Sequence, residues 1–291
     1  MLGCSTRINP FFVRAKEGGE PRDMGPAIVD RLRSIGVQAL VLIGGDGTML
    51  AGLRFMHLGM PCIGIPKTID NDLGRTDLTC GFDSAVDTAT RAIDALHSTA
   101  EAHARVMIVE VMGRNAGFIA LHAGVAGGAD VILIPEIPYA LERVLRKIRE
   151  RESLGLRFSI VAIAEGARPL GGEVAELEKG RPGHLPRLGG AGERLLHDLE
   201  RSNTGHEIRL TVLGHLQRGG SPSAFDRNLG TQMGAFAADL CASGRFDQMV
   251  SFCGSRLEAV PFDAEPPIHK TVDLGGRLVE TARSVGIELG G

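Results

Sequence analysis

The sequence predicts an α/β fold built on a doubly wound parallel sheet, or on two of them. Three observations carry this. Short runs rich in Val and Ile do not alternate with polar residues, as in strands covered on both faces. Helical patterns lie between these runs. Glycine then clusters just past the ends of the strands, where backbone must turn tightly or approach a ligand.

Taken in order, a helical pattern over Pro26–Ile35 precedes the first clear strand, Ala39–Ile43. A helix over Met49–Leu58 and a strand over Cys62–Ile65 follow. The next helix, Ser84–Thr99, sets Val86, Ala89, Ile93 and Leu96 on one stripe, with Ser84 and Asp87 spaced as a capping box. The alternation continues through strand Val106–Val111, helix Ala116–Ala126, strand Val131–Ile134, helix Ala140–Glu152 and strand Ser159–Ala164. Gly171–Gly192 is rich in Gly and Pro and reads as a surface excursion. Strand Ile208–Leu213, helix Ala224–Ala242 and strand Met249–Phe252 complete the pattern.

Composition narrows the function classes. The 291 residues suit two modest domains or one large one, and 43% are hydrophobic, enough for a sizeable core. Lys and Arg number 32 against 35 Asp and Glu, a net charge of -3, which argues against nucleic acid or an anionic membrane as partner. No Trp and a single Tyr, Tyr139, argue against base-stacking platforms. The five cysteines are scattered with no C-x-x-C pair, as expected of thiols in a reducing cytoplasm. No apolar run reaches the length of about 18 residues that a membrane span needs.

Ala39–Ile43 runs into Gly44-Gly45-Asp46-Gly47-Thr48 and then a helical pattern. Strand, glycine turn and helix N-terminus together favour an anion. Asp46 would repel phosphate unless a cation bridges them, and Mg²⁺ takes one or two carboxylates plus phosphate oxygens. A tight turn with an Asp cap is the plainer alternative. This is not a P-loop: Gly59 and Gly64 have the right separation, but Ile65 follows where Lys is required, and Lys67 comes too late.

Cys62–Ile65 ends in Pro66-Lys67-Thr68-Ile69-Asp70-Asn71-Asp72. Two carboxylates past a strand end can divide labour, one taking a proton and the other steadying a metal's water shell. An Asx-turn is the competing reading. Met112-Gly113-Arg114-Asn115-Ala116-Gly117 follows Val106–Val111 and places an Arg at a helix start, a cost that binding an anion offsets. Gly214-His215-Leu216-Gln217-Arg218-Gly219-Gly220-Ser221 repeats the arrangement, with Arg209 near the start of its strand. Glu165-Gly166 closes another strand and can accept from sugar hydroxyls. Singly, His215 could be a loop histidine, Arg209 a solvated charge and Glu165 a strand-end turn residue.

The ordered set GGDGT (Gly44–Thr48), PKTIDND (Pro66–Asp72), MGRNAG (Met112–Gly117), AEG (Ala164–Gly166) and GHLQRGGSPSAFDR (Gly214–Arg227) resembles the phosphofructokinases, from about Gly3 to about Phe262. GGDGT alone also occurs in NAD kinases and lipid kinases, but PKTIDND and GHLQRGG are not theirs. The resemblance implies two Rossmann-like, doubly wound domains: a donor domain over 1–81 with 216–265, and a sugar-phosphate domain over 82–215 with 266–291. It implies transfer of a phosphoryl group from ATP to the 1-hydroxyl of fructose 6-phosphate, with Mg²⁺.

Position by position, Asp70 matches the general base, Asp46 the magnesium-linked acid and Asp72 its partner. Arg114 matches the arginine that stabilises the transferring group. Thr68, Met112 with Gly113, Glu165 and Arg218 match substrate contacts. Arg105 and Arg209 match arginines that reach a neighbouring subunit's site and grip the 6-phosphate with His215, which implies a homo-oligomer, usually a tetramer. Arg7, Gly45, Gly47, Thr48 and Lys67 fall to the donor. The resemblance also implies that the family's opening glycine-rich turn, which helps hold donor phosphates, has no counterpart ahead of Met1, leaving the donor site incomplete and an inactive, sugar-binding subunit as the alternative. Gly47 favours ATP because Asp there would exclude an α-phosphate, whereas Lys67 is similar to the pyrophosphate-using branch.

Overall fold

The computed structural model describes residues 9–13, 20–179, 186–262 and 269–291. The strands are β1 (Leu40–Gly44), β2 (Cys62–Pro66), β3 (Arg105–Val111), β4 (Val131–Leu133), β5 (Ser159–Ala164), β6 (Glu176–Glu178), β7 (Arg187–Leu188), β8 (Glu207–Val212), β9 (Gln248–Cys253) and β10 (Arg256–Pro261). The helices are α1 (Gly25–Ser34), α2 (Asp46–His57), α3 (Phe82–Ala102), α4 (Phe118–Ala126), α5 (Leu141–Ser153), α6 (Ala191–Arg201), α7 (Ala224–Ala242) and α8 (Arg277–Ser284).

Two four-stranded sheets result, one ordered β1-β2-β9-β10 and the other β4-β5-β3-β8. All pairs are parallel except β9–β10. Helices lie on both faces of each sheet. In the second, Ile93, Ile119 and Val279 of α3, α4 and α8 pack on one side. Val144 of α5 and Leu195 and Leu199 of α6 pack on the other. In the first, Leu229, Met233 and Leu240 of α7 meet Ile63, Ile65 and Val250, while Val29 of α1 and Phe55 of α2 close on Cys62. Among the described residues no helix is long and apolar enough to cross a membrane.

The expected elements are present within a few residues, with informative departures. β2 and β5 are buried at every position, whereas β1 alternates and leaves Val41 and Ile43 exposed. β1 has only β2 beside it in the described sheet, so its side chains are half covered. The Gly171–Gly192 stretch is not wholly an excursion: it carries the β6–β7 ribbon and the start of α6.

The Ser84–Asp87 capping box is not what starts α3. That helix begins at Phe82, directly after a left-handed Gly81 and two residues before Ser84. Its free amides are met from afar: Asp226 of α7 accepts from the backbone N–H groups of Gly81 and Ser84, both at 2.8 Å. Ser84 donates its hydroxyl to the same carboxylate instead of capping locally. Glu136 treats α4 in the same way through Gly117, and Glu110 treats α6 through Gly192.

Candidate active site

Parallel pairing aligns the strand ends that carry the motifs. Gly44 is the register partner of Pro66, and the Lys67 N–H donates to the Gly44 carbonyl at 2.9 Å. The glycine turn and the acidic loop are thereby neighbours. In the other sheet Val111 pairs with Ala164, and Glu110 with Val212. The loops carrying Arg114, Glu165 and His215 therefore leave the same sheet edge.

The acidic loop is held from inside. Asn71, buried between the two carboxylates, adopts φ 53 and so turns the chain left-handedly. Its side-chain amide donates to the Asp77 carbonyl and its oxygen accepts from Thr79 N–H, each at 3.1 Å. The Thr79 hydroxyl donates to the Thr68 carbonyl at 2.7 Å. The sequence reading passed over Asn71. Its signal is the residue type, since Asn tolerates the left-handed region better than most.

Asp70 is 6% exposed, and one carboxylate oxygen, Oδ1, has no hydrogen-bond partner among the described residues. The other oxygen faces the Thr68 hydroxyl at 3.4 Å. Burial pushes the Asp70 carboxyl above its ordinary range, Arg218 and Arg114 pull it back, and Asp46 adds a small upward push. Asp72 is raised to about 6, first by burial and then by the charges of Asp70 and Asp46. Charges from both sheets, Asp46 from one and Arg114 and Arg218 from the other, thus bear on the Asp70 carboxyl.

Asp46 opens α2, half-buried, and accepts from the Gly47 N–H at 2.6 Å. Gly47 is exposed, and the space where its Cβ would stand is empty. Thr48 packs against Gly44, leaving no room there for a side chain. Among the described residues no cluster of three His, Cys, Asp or Glu could by itself hold a metal ion. A single carboxylate in a field of others suits Mg²⁺, which draws most of its remaining ligands from phosphate and water.

Arg114 lies at φ 52, and its N–H donates to Glu165 Oε1 at 3.0 Å. Gly166 must be glycine here, because a Cβ would collide with the Arg114 carbonyl oxygen. Gly113, at φ 143, faces the Ala116 carbonyl with little room. Burial raises the Glu165 carboxyl, an effect its bond from Arg114 opposes. Met112 is half-buried beside them. His215 and Arg218 are exposed on a 3-10 turn, Gly214–Arg218, whose buried Gln217 donates to the Gly214 carbonyl.

Arg105 and Arg209 lie elsewhere. Arg105 starts β3, about 20 Å from its far end at the usual rise per residue, and pairs with Glu207 at 2.6 Å. Arg209 pairs with the same Glu207. Neither meets Asp70 within one chain. Arg7 lies outside the described residues.

A family model described as Phosphofructokinase matches residues 1–241. The chain is 48% identical over 292 residues to ATP-dependent 6-phosphofructokinase 2 of Clostridium perfringens, covering 99% of this chain and 80% of that protein. It is 50% identical over 262 residues to ATP-dependent 6-phosphofructokinase of Chloroflexus aggregans, covering 90% and 72%. Pyrophosphate--fructose 6-phosphate 1-phosphotransferase of Streptomyces coelicolor is 47% identical over 272 residues, covering 92% and 76%. Among solved structures, pyrophosphate-dependent phosphofructokinase from Marinobacter aquaeolei shares the fold, with a TM-score of 0.74 at 21% identity, covering 94% of this chain and 71% of that one.

Proposed function

Because the chain belongs to the phosphofructokinase family, we propose that it transfers a phosphoryl group from ATP to the 1-hydroxyl of fructose 6-phosphate, giving fructose 1,6-bisphosphate in glycolysis. The observation that carries this reading is the buried, unpartnered Oδ1 of Asp70. A buried carboxylate oxygen left without a donor is costly, and a substrate hydroxyl would supply the missing bond. Burial also raises its affinity for a proton, which suits a general base.

In this mechanism Asp70 takes the proton from the attacking hydroxyl while Thr68 steadies its other oxygen. Arg114 lies against the transferring group and offsets its charge, and Arg218 supports the acceptor side. Glu165, held by the Arg114 N–H, accepts from sugar hydroxyls, with Met112 and Gly113 forming the wall beside it. Asp46 would hold Mg²⁺, which neutralises donor phosphate charge when bound, and Asp72 would order its water. Such chemistry is mostly positioning and charge neutralisation.

Gly45, Gly47 and Thr48 would border the donor at the start of α2, where Gly47 leaves open space, with Lys67 and Arg7 as cations. The open space at Gly47 supports ATP over pyrophosphate. His215 would grip the 6-phosphate with Arg105 and Arg209 of a neighbouring subunit. That sharing is consistent with both arginines lying away from Asp70 in their own chain, and it requires a homo-oligomer, a tetramer in this reading. Residues 1–81 with 216–265 form the donor domain in this reading, and 82–215 with 266–291 the sugar-phosphate domain. The scattered thiols fit the cytoplasm.

A coupled assay with fructose 6-phosphate and Mg²⁺, run separately with ATP and with pyrophosphate, tests the proposal. Turnover with ATP exceeding that with pyrophosphate is the expected result. The reverse ranking would overturn the donor, and no bisphosphate from either would overturn the reaction.

A further inference from the structure

A cavity of about 310 Å³ beside α5 is lined by Arg143, Arg146, Lys147 and Arg283, but its charges are answered within the chain. Glu288 takes both Arg143 and Arg146, Glu150 takes Lys147, and Arg283 donates to the Leu274 carbonyl. Lys270 is different, because its ammonium is bonded to main-chain carbonyls of the strap that follows the acidic loop.

The Lys270 ammonium donates to the carbonyls of Thr76 and Asp77, each at 2.8 Å. Its own backbone N–H donates to the Asp72 carbonyl at 2.7 Å, next to the antiparallel bridge between Leu73 and His269. The same ammonium lies 5.2 Å from the centre of the Phe118 ring. Phe118 opens α4, the helix entered through the Met112–Gly117 loop. One side chain thus touches the strap that follows Asp70 and Asp72 and the helix that follows Arg114.

We propose that Lys270 is a positioning residue, which fixes the Asp72–Asp77 strap against α4 and so sets the separation between the Asp70 carboxylate and the Arg114 loop. Charge-assisted bonds to two carbonyls and a cation over a ring are strong enough to hold such a joint. Burial lowers the Lys270 ammonium to about 8, so it carries its charge at neutral pH while partly desolvated. A joint of this kind acts on reaction geometry, where a displacement near 1 Å costs about 100-fold in rate. The kinetic part of the proposal rests on the phosphotransfer reading; the ordering of the strap does not.

The test compares Lys270→Met and Lys270→Gln with the parent chain. Hydrogen exchange at amides 72–80 should quicken about tenfold or more in Lys270→Met, with β3 amides unchanged. With fructose 6-phosphate and ATP, kcat should fall roughly 10- to 100-fold while KM for the sugar stays within about threefold. Lys270→Gln, which keeps N–H donors, should recover part of both. In an Asp70→Asn background the Lys270→Met change should cost less than about twofold further, because the two act through one feature. Unchanged exchange at 72–80 overturns the proposal, and so does a kcat loss that persists in full without Asp70. A parent chain that transfers no phosphoryl group would sink the assigned reaction alone, and the exchange measurement would still decide the role of Lys270. Should Lys270→Met lose protection throughout the chain, Lys270→Gln carries the same comparison.

Discussion

Glu165 accepts the backbone N–H of Arg114 at 3.0 Å, so the residue that would contact the sugar also fixes the turn that aims the guanidinium. The two come from adjacent strand ends, β5 and β3, whose pairing runs up to Val111 and Ala164. In the proposed reaction, sugar recognition and charge stabilisation would therefore be coupled through a main-chain bond, and damage to one side would be felt on the other.

Replacing Asp70 by Asn should lower kcat by about 100- to 10,000-fold, the usual worth of a general base. KM for fructose 6-phosphate should change little. In the parent, activity should fall as pH drops, with a midpoint above the ordinary Asp value because burial raises this carboxyl. A kcat–pH profile of both proteins checks this, and an acid limb that survives in Asp70→Asn would assign it to another group.

Asp72 gives a stability prediction with a definite sign. Its folded value is raised to about 6 from 3.8, so the folded state holds a proton that the unfolded state has lost between those values. Stability should therefore decrease as pH rises through that window. Asp72→Asn should be more stable than the parent at pH 7 to 8, by about 1–3 kcal/mol, and nearly equal to it near pH 4. Urea unfolding at the two pH values measures the difference.

Asp226→Ala should destabilise the fold by about 2–3 kcal/mol. It removes the acceptor for two backbone amides and a hydroxyl at the start of α3. Asp226→Asn, which keeps one acceptor oxygen, should lose less. Chemical denaturation of both variants gives the comparison, and equal losses would argue against the capping role.

Gly47→Asp should weaken use of ATP more than use of pyrophosphate. The added side chain enters space that is now empty at the start of α2, bringing a negative charge to where a nucleotide's first phosphate would lie. The ratio of kcat/KM for the two donors reports it, and an unchanged ratio would remove Gly47 as a donor determinant.

How much could be read from sequence follows from where each signal resides. β2 and β5 were legible because continuous aliphatic runs are what strands covered on both faces require. The strand-end positions of Asp46 and Arg114 were legible because glycine turns follow such runs, and those of Asp70 and Asp72 because two carboxylates follow β2 on one short loop. α6 was not, since it begins inside a Gly- and Pro-rich stretch and takes its cap from Glu110, far back in the chain. Its buried Leu195 and Leu199, four residues apart, are a local clue. The start of α3 was misplaced for the same reason: Ser84 looks like a cap, but its hydroxyl serves Asp226. Lys270 could not be found from a motif, because what it does depends on which carbonyls the fold brings beside it. β1 misled in the opposite direction, its apolar run being half exposed at a sheet edge.

The distant cap on α3 has a consequence for biosynthesis. Gly81 and Asp226 are 145 residues apart, so on a ribosome the helix is made long before its carboxylate exists. At 5–20 residues per second the wait is roughly 7–30 s, during which the amino end of α3 must find water or a chaperone. Slower codons between the two positions would lengthen that interval without altering the finished protein.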